Sequence, residues 1–136
     1  MKPNSILIAG LTLAMAAVLL GAFGTHVLED KLASWYEDAP RRLESWKTGV
    51  LYQMFHSLGM IAIGGIALIR PRWRSISACS MFLGMVLFSG CLYGWVLTAQ
   101  TWMVMIVPIG GLAMIFGWLA AIIGLLQGPE SSTVQE

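Results

Sequence analysis

Four apolar runs, separated by three polar connections, set the plan of the chain: Ile6 to Phe23, Gly49 to Ile69, Ile76 to Leu97 and Met103 to Leu126. None contains Asp, Glu, Lys or Arg. Each is close to the roughly 20 helical residues that cross a bilayer core. The pattern predicts an all-α, integral membrane four-helix bundle. Its single domain covers residues 1–128, with spans near 6–26, 49–69, 76–97 and 103–126, and residues 129–136 read as a disordered polar tail.

Asn4 or Ser5 can cap the first helix. Its Gly10, Ala14, Ala17, Gly21 and Gly24 recur at spacings of four, three, four and three, a seam through which a second helix can approach closely. The following connection, "THVLEDKLASWYEDAPRRLESWK", places Leu28, Leu32, Trp35 and Tyr36 on one helical face. It predicts a short interfacial amphipathic segment between helices one and two, with its aromatic residues at headgroup depth. Asp38 and Pro40 then mark a helix start, so helix two begins outside the membrane. The second connection, "RPRWR", is densely cationic, and the third, "TAQT", is uncharged.

Composition sharpens this picture. The chain has 136 residues, 57% hydrophobic and 11% charged, against about 25% charged in an ordinary soluble domain. A net charge of +1 without a basic run leaves no footprint for nucleic acid. Cys79 and Cys91 sit twelve residues apart in one helix, about 18 Å along its axis, too far for a disulfide. The first apolar run is longer than a usual signal core and has no polar region around the small-residue site at Ala14 to Ala16, so it reads as a retained span. Lys and Arg divide equally between the two sides. The density of "RPRWR" places that loop and both termini in the cytoplasm, which makes the chain a multi-pass protein of the plasma membrane, the inner one in a Gram-negative cell.

Helix two carries the chemistry that stands out. At 100° per residue Gly49, Tyr52, Gln53, His56, Gly59, Met60 and Ile63 share one stripe, and an unpaired polar group in hydrocarbon costs several kcal/mol, so this stripe is expected to face protein. His26, Ser89 and Tyr93 fall in the same leaflet. The expected polar cluster, ligand-binding or structural, is therefore His26, Tyr52, Gln53, His56, Ser89 and Tyr93. Gly90 and Gly94 form a G-x-x-x-G step, and Gly117 lies in a small-residue stretch of helix four.

The stretches "GAFGTHVL", "PRRLESWKTGVLYQMFHSL", "FSGCLYG" and "PIGGLAMIFGW" resemble, in order, the signatures of the bacterial membrane family known as domain of unknown function four-two-three, related to the eukaryotic small transmembrane protein two-five-six. The resemblance runs from Gly21 to Trp118. It falls on Gly21, Gly24 and His26; on Pro40, Leu43, Trp46, Gly49, Tyr52, Gln53 and His56; and on Phe88, Ser89, Gly90, Tyr93, Pro108, Gly110, Gly111, Gly117 and Trp118. Thr25, Val27 and Cys91 depart from the family's usual alanine, glycine and serine. The resemblance implies a four-helix membrane protein and no reaction. Helix packing is expected at Gly21, Gly24, Gly49, Gly90, Gly94, Pro108, Gly110, Gly111 and Gly117.

Three functional readings remain open. The favoured one is a structural or accessory protein whose polar residues fix helix register. The alternative is a binding or transport protein, for a small ligand, a lipid or protons, using the same cluster, since intramembrane ionisable residues are functional candidates. A His-ligated haem or metal protein is less favoured, because two histidines fall short of a closed metal site. No catalytic constellation, metal site or cofactor is expected, and the expected partners are membrane lipids together with another membrane protein or a second copy of the chain.

Overall fold

A computed structural model describes residues 1–129. Four helices follow one another up and down: α1 (Pro3–Trp35), α2 (Ala39–Gly65), α3 (Pro71–Thr98) and α4 (Trp102–Gln127). The chain is thus an all-α four-helix bundle. Three of its helices, α1, α3 and α4, are long and apolar enough to cross a membrane. The polar stripe of α2 makes it less apolar, although it lies along α1 from Trp46 beside Gly24 to Gly64 beside Leu7. The reading of the tail as disordered falls, from residue 130, outside the described residues.

The expected amphipathic segment between helices one and two is not a separate element. Residues beyond Phe23 continue α1 to Trp35 through a π-helical turn at Gly24–Leu28. Nothing there stops a helix, since the next proline is Pro40. The Thr25 hydroxyl donates to the Gly21 and Ala22 carbonyls and the Trp46 Nε1–H to the Leu20 carbonyl at 2.9 Å, which serves the carbonyls beside the turn. Leu28 and Leu32 stay on the buried side, against Leu43, Trp46, Trp95 and Val96. Of the expected face only Leu28 and Leu32 are buried on the extended α1; Trp35 is exposed and Tyr36 follows the helix end in an extended conformation.

α2 starts at the expected place and ends at Gly65, short of Ile69. Residues 66–69 instead turn, and the buried Arg74 donates to the carbonyls of Ile66, Ala67 and Ile69 at 2.9–3.2 Å. Prolines head both neighbouring helices, with Pro71 in the first turn of α3. The N-terminal ammonium bonds Ser75 Oγ at 2.6 Å and Trp73 Nε1–H bonds Gln127 Oε1 at 2.8 Å. Residue 1, the arginine loop and the end of α4 therefore gather at one end of the bundle.

Small residues set the helix spacing. A Cβ on Gly10 would meet the Ser57 carbonyl oxygen and the side chain of Ile61, and one on Gly117 would meet Met81 and the Ser77 carbonyl oxygen. Between α3 and α4 the hydroxyls of Ser77 and Ser80 donate to the Gly117 and Ala113 carbonyls, each at 2.7 Å. Association in lipid rests on such close packing and interhelical bonds.

Candidate functional site

Gln53 is the centre of the buried polar cluster. Its Nε2 donates to the Leu13 carbonyl of α1 at 3.0 Å, and its Oε1 accepts from the Tyr93 hydroxyl of α3 at 3.0 Å. One side chain of α2 therefore joins three helices. Next to it Ser57 donates to its own helix at the Gln53 carbonyl, at 2.6 Å, and lies against Met85 of α3. Ser89, in a second π-helical turn at Val86–Gly90, donates across to the Gly49 carbonyl at 2.8 Å. Gly49 is required there because a Cβ would stand 2.8 Å from the Tyr93 ring. Tyr93 also packs on Trp46 with ring centroids 4.6 Å apart, and Trp46 on Phe23 at 5.8 Å.

The expected cluster is thus divided. Gln53, Ser89 and Tyr93 come together. His56 is equally buried but faces α4, its ring 6.1 Å from that of Trp118. Its Nδ1 lies 2.8 Å from the Tyr52 carbonyl oxygen. That oxygen only accepts, so Nδ1 carries the hydrogen, and Nε2 has no hydrogen-bond partner among the described residues. Tyr52, expected to face protein, is exposed and stacks on Phe88 at 4.4 Å, outside the cluster. His26 is exposed on α1 and does not join Tyr93 or His56. The two histidines therefore do not form a pair, and no group of three or more His, Cys, Asp or Glu among the described residues could hold a metal.

The glycines divide as well. Gly24, Gly49, Gly110 and Gly117 each stand too close to a neighbour for a Cβ, whereas one on Gly94 would meet only the movable end of the Met103 side chain. Gly21 has ordinary room against Val50, Gly111 looks towards Phe88 at 3.9 Å, and Gly90 faces open space. Pro108 is exposed within α4. Cys79 and Cys91 are both free.

Two buried arginines escaped the sequence reading. Arg42 donates through Nη1 to the carbonyls of Trp95 and Val96, at 3.1 and 3.3 Å, and through Nε to Asp38 at 2.6 Å. Its guanidinium lies 3.8 Å from the Tyr36 ring centroid. At the opposite end the buried Arg74 holds the turn after α2 through the carbonyls of Ile66, Ala67 and Ile69. Arg42 serves the C-terminal carbonyls of a neighbouring helix, where a cation also suits the helix dipole. The available signal was the double arginine inside a helical start, which a default assignment to solvent hides.

A family model described as "Protein of unknown function (DUF423)" matches residues 20–111. Among curated proteins, the chain is 40% identical over 124 residues to a UPF0382 membrane protein of Staphylococcus epidermidis, covering 89% of this chain and 94% of that one. It is 37% identical over 123 residues to the UPF0382 membrane protein YwdK of Bacillus subtilis, covering 89% and 95%. It is 36% identical over 111 residues to a UPF0382 membrane protein of Haemophilus influenzae, covering 79% and 82%. No solved structure matches the chain.

Proposed function

This chain belongs to the bacterial DUF423 family of membrane proteins, and from that premise we propose that it is a small structural or accessory protein of the cell membrane with no catalytic step of its own. The supporting observation is Gln53, both ends of whose amide are engaged by other helices. A polar group used in this way fixes helix register. Its partners are lipids and a second membrane protein. The binding alternative draws support from His56 alone, whose Nε2 is not engaged. A haem or metal role has no such support. Kinship with the eukaryotic small transmembrane protein two-five-six is proposed on the sequence resemblance alone.

The test is purification from native membranes in mild detergent, followed by thermal unfolding. The native chain is expected to bring a protein partner in fixed ratio. Gln53→Leu leaves the Tyr93 hydroxyl unpaired and is expected to destabilise the bundle by about 1–2 kcal/mol. The double change Gln53→Leu with Tyr93→Phe removes both partners and should recover part of that loss. A chain that purifies alone, with a double variant as unstable as the sum of the single ones, would sink the reading.

We place α2 across the membrane as a fourth span, since the bundle turns its stripe inward at Gly49, Gln53, His56, Gly59, Met60 and Ile63. We also place the arginine-loop end, with residue 1 and Gln127, in the cytoplasm on the density of its cations. With Cys79 and Cys91 removed, Glu37→Cys is expected to react with a membrane-impermeant thiol reagent added outside intact cells, and Arg72→Cys only after lysis. The reverse pattern inverts the orientation, and labelling of both from outside rules out a fourth span.

A further inference from the structure

We propose that the groove between α2 and α4 binds the headgroup of a membrane-dissolved hydroquinone, with one ring hydroxyl donating to His56 Nε2. The inference rests on the binding reading of His56 and is independent of the Gln53 lock.

The groove, about 620 Å³, is lined by Tyr52, Phe55, His56, Gly59, Ala62 and Trp118, with leucines at its lip. Its size suits a small ligand. Phe55 and Leu58 are well exposed, so the groove opens sideways into lipid. His56 itself is only 8% exposed and lines this groove. Its Nδ1–H is held by the Tyr52 carbonyl, so a neutral ring presents Nε2 as a lone pair. No carboxylate stands in the apolar runs to pair with an imidazolium. Nε2 has no partner among the described residues and is not fully enclosed, since the ring lines the open groove. An acceptor left without a donor in hydrocarbon is costly, and an O–H or N–H group arriving through lipid would satisfy it.

Depth and shape select among such donors. His56 lies nine residues beyond Lys47 and nine before the end of α2 at Gly65, about 13 Å of helix on either side at 1.5 Å per residue, with Arg70 beyond the turn that follows. Phosphate, glycerol and headgroup amines remain at the membrane surface and do not reach that level. The walls are aromatic and flat. Tyr52 is held in place by its stack on Phe88, and Trp118 lies so near Gly59 that a Cβ there would be 2.9 Å from the indole. A planar ring bearing hydroxyls on an apolar tail fits both the lone acceptor and the walls. Hydrogen bonding and binding are all that is inferred, with no electron transfer.

The experiment uses the full chain in detergent and a short-tailed benzohydroquinone kept reduced, compared with its dimethyl ether, which has the same ring and no donor. Binding is followed calorimetrically, together with the nitrogen-15 shift of His56 Nε2 in the unaltered protein. The hydroquinone is expected to saturate, to shift the Nε2 resonance, and to bind about ten-fold more tightly than the ether, the change that one buried hydrogen bond produces. His56→Leu should abolish that difference, and His56→Gln, which keeps an acceptor, should retain part of it. Equal saturable binding of both compounds, or an Nε2 resonance that does not move, overturns the hydroxyl contact while leaving a site for flat apolar rings. Absence of saturable binding by either compound overturns the binding reading itself.

Discussion

Replacing Gly110 by alanine is expected to cost the bundle about 2–3 kcal/mol, at the upper end of what overpacking produces. A Cβ at Gly110 would stand 2.5 Å from the Phe88 nitrogen and 2.9 Å from the Gly84 oxygen and the Leu87 carbonyl carbon. All three are backbone atoms of α3, so no side chain can turn aside to make room. The helices themselves must separate, which lengthens the bonds from Ser77 to Gly117 and from Ser80 to Ala113. Gly90→Ala is the control, because its Cβ meets nothing within 4 Å. A helical glycine replaced by alanine at an open site gains roughly 0.5–1 kcal/mol. Thermal unfolding in detergent distinguishes the two. If Gly110→Ala melts with the native chain, α3 and α4 are not in the contact described.

The contrast shows what a sequence of this kind discloses. Both glycines lie in motifs that invite a packing assignment, and spacing alone gives them equal weight. Helical arithmetic identifies most of the inward stripe of α2, since Gly49, Gln53, His56, Gly59, Met60 and Ile63 are buried, but it misplaces Tyr52, which is exposed at the stripe's edge. It does not say that neighbours within a stripe meet different helices. Gln53 and His56 are three residues apart and 60° around the axis, enough to send one to α1 and α3 and the other to α4. The same arithmetic sets His26 200° from Gly24, on the side away from the seam, and the structure leaves it exposed there. Shared depth in the membrane was a weaker guide than angle. The π-helical turns carry no plain signal in the sequence. The continuation of α1 past Phe23 was legible only as the absence of a breaker before Pro40.

Arg42→Met is the other change expected to have a large effect, about 3–4 kcal/mol, because several interactions end on one buried cation. Its bonds to the Trp95 and Val96 carbonyls are charge-assisted, a type worth roughly 1.5–3 kcal/mol. Its place over Tyr36 adds about 1 kcal/mol or more in a desolvated setting. The contact with Asp38 contributes least, since that side chain is 44% exposed and solvent screens the pair. Asp38→Asn is therefore expected to shift stability by no more than about 0.5 kcal/mol. Arg42→Lys keeps the charge and loses the planar fork, so it should recover only part of the loss. The failure should be local as well as global. Without the guanidinium the last carbonyls of α3 lose their cap, and a cysteine at Thr98 should react faster with a thiol reagent in the Arg42→Met background than in the native one. Equal stability and equal Thr98→Cys reactivity in Arg42→Met and Asp38→Asn would mean that the arginine is held at the end of α3 without holding it.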